Sequence, residues 1–320
     1  MYAQTTNFLR GVLQLTLFCL ALATTGSAWA AQAAAKKPPL NPNNPDDLFR
    51  IQVRMSCSLT DGKPTLYWWS GHMYARTPGE KDRLLFDVHG MNVRQCQTKV
   101  DPVRGFGYKS VSREVMFYID PASGLISRTW KNPWTGKDVE VVQVANDPVN
   151  LGRWVFTRDE AGKVIDRSGG LFVKDELMLE GGDAARLFYK NPLAGDYQEY
   201  VGGWYHAMEF GSTAVTLKDA LDADSPELAD AVLSWGRISK WLPWMEMGDR
   251  EGVVIFHTAG MRLDNYSQLP KVVRDEIELN YPQYKAPPPL DDARPNDTSW
   301  TVFKRHVEKK RAAEADKAKP

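Results

Sequence analysis

Histidine and carboxylate side chains are the groups that move protons in a site without a cofactor. In this 320-residue chain they gather in a few short stretches. His206 and Glu209 form a His-x-x-Glu pair within Trp204-Tyr205-His206-Ala207-Met208-Glu209-Phe210. On a helix the two would share a face; on a strand, which residues 201–210 resemble more, they point to opposite faces. Arg237, Glu246, Asp249 and Arg250 are threaded through Ser234–Gly252, which also carries Trp235, Trp241, Trp244, Met245 and Met247. A guanidinium held against an indole suits an anionic or carboxylate ligand. The plain structural alternative is an ion pair from Arg237 to Glu246 or Asp249. Glu114 and Asp120 alternate with Met116 and Tyr118 on one strand face, where salt bridges and turn caps compete with acid–base work. The candidate catalytic set is His206, Glu209, Arg237 and Glu246.

Other chemistries lack their motifs. There is no His-Glu-x-x-His and no His-x-His, so no metal site is expected. No Gly-x-Ser-x-Gly elbow is present. Gly105-Phe106-Gly107-Tyr108 opens no helix and is no phosphate loop, so no nucleotide or other cofactor is expected. His72, His89 and His257 sit on strands among apolar neighbours, the usual setting of a satisfied core histidine. The aromatic load is the stronger signal. Ten tryptophans follow Trp29, more than one core commonly needs, although packing alone can absorb indoles. An aromatic-lined cavity would use the same residues. On that reading Trp68, Tyr118, Trp204, Trp241, Trp244 and His257 are the candidate ligand-binding residues, and the partner is a hydrophobic or aromatic small molecule.

Those residues need a scaffold and a compartment. Arg10 precedes an apolar run from Val12 to Ala23, too short for a bilayer span of about 20 residues. Ala28-x-Ala30 follows with the small-x-small pattern of a cleavage site, so residues 1–30 read as a secretory signal and no stable membrane span is expected after its removal. The address is periplasmic or secreted. Two cysteines then remain, Cys57 and Cys96, a candidate disulfide in an oxidising compartment; a pair of buried free thiols is the alternative. The mature chain carries 40 − 1 = 39 basic and 40 acidic side chains. That balance argues against a nucleic-acid partner, which leaves a basic footprint.

Residues 31–45 read as a flexible leader, 46–308 as a single β-rich domain and 309–320 as a charged tail. Phe49–Ser58 reads as a strand ending in an Asp61-Gly62 hairpin turn. Thr65–Ala75 is a second strand, apolar on both faces, which places it between two layers or against a cavity. Arg83–Thr98, Arg113–Asp120 and Leu125–Trp130 follow, and a Cys57–Cys96 bridge would tie two strands of one sheet. Strand, tight turn and strand recur at antiparallel spacing through about Val173, and again in Leu171–Leu179 and Gln198–Gly211. Asp224-Ser225-Pro226-Glu227 reads as a helix start with Leu228, Val232 and Trp235 as its apolar face. Gly252–His257 is a strand, Leu269–Tyr281 a helix, and Trp300, Phe303 and Val307 fall at helical spacing.

Several strings resemble a known family. They are Arg113-Glu114-Val115, Phe117-Tyr118-x-Asp120-Pro121, Trp130-x-Asn132-Pro133-Trp134-Thr135-Gly136, Asn146-Asp147-Pro148-Val149 and Asn191-Pro192-Leu193. Ser234-Trp235-x-Arg237, Trp241-Leu242-Pro243-Trp244-Met245-x-Met247-Gly248 and Pro295-Asn296-x-Thr298-Ser299-Trp300-x-x-Phe303-Lys304 complete the set. Over nearly the whole mature chain the sequence resembles the bacterial domain of unknown function 1838 family. That resemblance implies no activity and carries over no catalytic residue.

The expected fold is therefore mainly β, an antiparallel barrel or strongly curved sheet with two or three helices near the C-terminus. The expected function is to hold a hydrophobic or aromatic small molecule in an aromatic-lined cavity, with His and carboxylate acid–base chemistry as its extension. The rival is a structural or envelope-interaction protein with a dry aromatic core.

Overall fold

Helix α1 (Pro45–Ser56) sets the architecture, in a segment whose alternation reads as a strand. The computed structural model describes residues 36–190 and 204–317. The signal segment, Asn191-Pro192-Leu193 and the first part of the Gln198–Gly211 strand lie outside the described residues. Asn44 caps α1 by accepting from the backbone N–H groups of Asp46 and Asp47 at 2.9 and 3.2 Å. Pro45 occupies the first turn, where its missing N–H costs nothing, and the two acids complement the helix dipole. Apolar residues at 49, 51, 53 and 55 look like a period of two. They are two i,i+4 pairs on different sides of a helix. Phe49 and Val53 pack on Phe106, while Ile51 and Met55 pack with Met178, Val215, Ala220 and Leu228.

Ten strands form one antiparallel sheet. These are β1 (Thr65–Arg76), β2 (Arg83–Asp101), β3 (Gly105–Ile119), β6 (Val144–Asn146), β7 (Leu151–Phe156), β8 (Leu171–Lys174), β9 (Leu177–Lys190), β10 (Trp204–Thr216), β11 (Val232–Ser239) and β12 (Val253–Leu263). Their order is β6-β3-β2-β1-β12-β11-β10-β9-β8, with β7 also on β3. A small separate hairpin joins β4 (Thr129–Lys131) to β5 (Asp138–Glu140). The expected barrel is not formed: the sheet is open, and β3 and β9 do not pair. Helix α1 takes the place of that pairing, because one of its faces sits on β3 and the other on β9 and the segment after β10.

Two further expectations are corrected. Asp61-Gly62 links α1 to β1 and is no hairpin turn; Gly62 has φ +75° and donates its N–H to the Cys96 carbonyl. The segment 225–235 is not a helix. Helix α2 ends earlier (Leu217–Leu221), and Val232, Ser234 and Trp235 belong to β11. Asp224-Ser225-Pro226-Glu227 is a turn, with the Ser225 hydroxyl donating to the Glu227 carbonyl at 2.6 Å. The helices α3 (Lys271–Asn280) and α4 (Ser299–Lys317) stand where their spacing placed them, with Val273, Ile277, Trp300, Phe303 and Val307 buried. Cys57 and Cys96 are joined as a disulfide, but the bridge ties the end of α1 to β2 rather than strand to strand.

Strand β1 is covered on both sides, as its two apolar faces require. Leu66 joins Met91, Val93, Val115, Phe117 and the α3 residues Val273 and Ile277 on one side. Met73 and Ala75 join Phe86, Val88, Trp241, Trp244 and Trp300 on the other. That second side also bears the cavity described next.

Candidate functional site

On the face of the sheet that carries α1, the side chains leave a cavity of about 660 Å³. Its wall is a run of strands read through their pleat. Tyr67 and Trp69 come from β1, Asn92 and Arg94 from β2, Glu114 and Met116 from β3. Glu209 comes from β10, and Trp235 and Arg237 from β11. The α1 residues Gln52 and Met55 line it as well.

Cross-strand register explains why these residues meet. Tyr67 stands opposite Asn92, Asn92 opposite Glu114, and Glu114 opposite Asn146. This is a polar row across four strands. One step along, Trp69 stands opposite Gly90 and Gly90 opposite Met116. A Cβ on Gly90 would lie 2.0 Å from the Trp69 ring, so the indole lies flat over the space that glycine leaves open. Trp69 and Trp235 meet with ring centroids 6.3 Å apart.

Asp166, Arg167 and Glu180 line the cavity as well; the charges on the inner strands fall into two groups. Arg237 Nη1 pairs with Glu209 at 3.3 Å, and Arg237 Nη2 donates to the Tyr205 hydroxyl. Burial opposes the charge on Arg237, but Tyr205 and Glu209 outweigh it and raise its pKa. The second group lies on β2 and β3. Arg94 donates Nε–H to Asn92 Oδ1 at 2.7 Å and sits over the Tyr67 ring at 5.5 Å. Among the described residues no carboxylate pairs with Arg94, and none of the cations pairs with Glu114. Among the described residues the hydrogen bond to Glu114 comes from Asn146 Nδ2 at 3.4 Å. Burial first, and then the charge of Glu209 across the cavity, push Glu114 up to about 7; Arg237, Arg94 and the Asn146 hydrogen bond pull the other way. Near neutrality Glu114 is thus a carboxyl that can give or take a proton.

Of the sequence candidates, Glu209 and Arg237 line this cavity and sit on paired strands, in direct register with each other. The others lie elsewhere. Trp241 and Trp244, 5% and 4% exposed, fill a neighbouring part of the same sheet face as a solid plug. Leu242 is extended and Pro243–Met245 makes a single 3-10 turn, as the proline demands. Trp244 packs on Phe86, Tyr118 and Trp130 at centroid distances of 5.8, 5.3 and 6.0 Å. Trp241 packs on Trp134 at 5.2 Å and donates its N–H to the Arg250 carbonyl. Tyr118 is buried in that plug, which raises its pKa. Glu246 ends the 3-10 turn in a left-handed conformation and pairs with Lys137 at 3.3 Å.

Four candidates point to the other side of the sheet. His206 is exposed, as strand alternation from Glu209 requires, and meets the Phe188 ring at 5.7 Å. Trp204 stacks on Phe188 at 5.0 Å. His257 stands exposed opposite His72, whose Nδ1 lies 2.7 Å from Asp87. Trp68 donates to His89 Nδ1 at 3.3 Å. Among the described residues no group of three or more His, Cys, Asp or Glu could hold a metal ion.

Sequence reasoning missed Tyr67, Trp69, Asn92 and Arg94 as a set. A signal was available on β2. Asn92 and Arg94 continue the face of Phe86 and Val88, so a polar pair sits where the period of two predicts apolar residues.

The fold and the cavity together define the class, an open antiparallel β protein with a cavity walled in part by a helix. Within that class the chain belongs to the family described as Protein of unknown function (DUF1838), whose model matches residues 62–307. No curated protein matches the chain.

Proposed function

We propose that this is a non-cytoplasmic binding protein that holds a ring-bearing small molecule in the cavity between β3 and β9. The observation that carries the reading is the cavity itself. Six inter-strand steps of about 4.8 Å would set β3 and β9 ~29 Å apart in a flat sheet. Both strands contribute to one space of about 660 Å³, so the reading takes the sheet as strongly curved around it. That volume lies in the range of sites for small organic ligands. Trp69 and Trp235 offer ring faces, and Arg94, Glu114 and the Glu209–Arg237 pair offer a polar end. Acid–base chemistry on the bound molecule would fall to Glu114 and Glu209, two of the carboxylates that line the cavity with Asp166 and Glu180.

The periplasm or the cell exterior is the proposed address. The Cys57–Cys96 disulfide suits an oxidising compartment, and the apolar run before Ala28-x-Ala30 suits export. Among the described residues no helix is long and apolar enough to cross a membrane.

Native mass spectrometry of the protein purified from its own host tests the binding reading. A co-purified organic molecule, lost in the Trp69→Ala and Trp235→Ala variants while folding is kept, is the expected result. Repeated empty spectra, with no thermal shift from any ring-bearing compound in a broad panel, would overturn it.

A further inference from the structure

We propose that the cavity takes a ring-bearing monocarboxylate, its carboxylate held between the Arg94 guanidinium and the Glu114 carboxyl. The proposal rests on the binding reading above and names the chemistry of its ligand.

The argument begins with the arginines in the wall. Arg237 already serves Glu209 and Tyr205, and Arg167, which lines the cavity as well, donates to the Ile165 and Phe156 carbonyls at 3.3 and 2.9 Å, so both guanidiniums are used within the protein. Arg94 is held differently. Its Nε is fixed by Asn92, which is only 4% exposed, and its guanidinium rests against Tyr67. Asn92 and Tyr67 therefore hold the guanidinium, leaving both Nη groups without a carboxylate partner among the described residues. A half-buried guanidinium of this kind is a fork for a carboxylate brought by a ligand.

Glu114 supplies the second half. It is the diagonal neighbour of Arg94, since Asn92 stands opposite Glu114 and Arg94 opposite Ser112. It does not neutralise Arg94 through an ion pair. The groups acting on it are Glu209 from β10, Arg237 from β11, Arg94 beside it and Asn146 from β6. Protonated, Glu114 donates a hydrogen bond to a ligand carboxylate that Arg94 grips. Ionised, it repels the same carboxylate. Binding of the anion and protonation of Glu114 are therefore linked, each favouring the other. Trp69, on the strand next to β2 and flat over Gly90, lies one register step away to receive the ring.

The sign follows from the charge. Burial and the charge of Glu209 push Glu114 up to about 7, so the anion should bind most tightly below that pH and lose about tenfold in affinity per pH unit above it. At pH 7 about half of the molecules must take up a proton on binding.

Isothermal titration calorimetry with 2-naphthoate and with neutral 2-naphthylmethanol tests this between pH 6 and 9. Two buffers of different ionisation enthalpy measure the proton uptake. The naphthoate should bind at least about tenfold more tightly than the alcohol at pH 6.5, with uptake of about half a proton at pH 7. Arg94→Met should remove the preference, weakening the naphthoate at least about tenfold more than the alcohol. Arg94→Lys, which keeps the charge and the stem, should retain part of the preference and covers the case in which the Met variant does not fold. Glu114→Gln should keep the preference for the anion, take up no proton and lose the pH dependence. Equal binding of the two probes, absence of proton uptake, or a folded Arg94→Met protein with unchanged preference would overturn the proposal while leaving the cavity reading in place. Failure of both probes to bind at any pH would count against the cavity reading and the proposal together.

Discussion

Two aromatic regions lie on the same face of one sheet, and only one of them is hollow. The plug gathers Phe86, Tyr118, Trp130, Trp134, Trp241 and Trp244. The cavity wall carries Tyr67, Trp69 and Trp235. The difference lies in what covers them. The plug is filled by a chain segment, the β11–β12 connection, whose tryptophans reach into the sheet. Its backbone is pinned there by Asn132, fully buried, which donates to the Met245 carbonyl at 2.8 Å. The cavity is capped by α1, a helix whose two apolar faces are already spent on β3 and β9. A helix that bridges the ends of a sheet spans the gap without filling it. Aromatic density alone does not distinguish a site from a core.

The contrast can be broken most forcefully from the plug side. Trp244→Ala should cost about 3–5 kcal/mol, the range for large aromatic truncations in a close-packed core. In its folded fraction it should leave ligand affinity in the cavity unchanged. Urea unfolding followed by titration of the folded protein checks both halves, and a loss of affinity without loss of stability would merge the two regions. The cap is the next lever. The disulfide closes a loop with a sequence separation of 39, so replacing Cys57 and Cys96 with serine should cost about 4 kcal/mol in the chain-entropy model. The matching measurement is the fall in denaturation midpoint of the double variant against wild type.

The carboxyl in the wall gives a pH test. Glu114 is raised in the folded protein from 4.5 to about 7. Its contribution to stability is thus fully present below pH 4.5 and is lost as pH rises through 7. Glu114→Gln, which cannot ionise, should match wild type near pH 4.5 and be more stable by up to about 3 kcal/mol at pH 8. Denaturant midpoints at the two pH values check this, and a pH-independent difference would remove Glu114 from the cavity's electrostatics. The smallest expected effect is Gly90→Ala. Its Cβ meets the Trp69 ring, so the indole must shift at a cost of about 1–2 kcal/mol. Ring-ligand affinity should fall about tenfold while the plug keeps its near-ultraviolet dichroism. Unchanged affinity would show that Trp69 does not wall the site.

Much of this architecture is legible along the chain because strands and helices advertise a period. The two apolar faces of Thr65–Arg76, the alternation of Glu114, Met116 and Tyr118, and the spacing of Trp300, Phe303 and Val307 each reflect one element's own geometry. α1 is the instructive failure. Its apolar residues at 49, 51, 53 and 55 serve two different neighbours, so a helix takes on the pattern of a strand. Asn44-Pro45-Asp46-Asp47 was the corrective signal, a cap, a first-turn proline and two acids in order. Segment 225–235 failed in the opposite direction, because a Ser-Pro-Glu turn looks like a helix start until the following β11 residues pair with β10 and β12.

Read along the chain alone, the residues show which of them share a strand face, that Cys57 and Cys96 are the available pair, and that Arg237 and Glu209 merit attention. Alternation is local, and each of these facts needs only one segment. It takes the folded molecule to show that Arg94 lies beside Glu114, that Arg237 is already paired with Glu209, and that Trp69 rather than Trp68 faces the cavity. Cross-strand register brings Arg94 beside Glu114 across 20 positions, Glu209 beside Arg237 across 28 and Trp69 beside Trp235 across 166. Such distances leave no trace in the spacing of any one stretch.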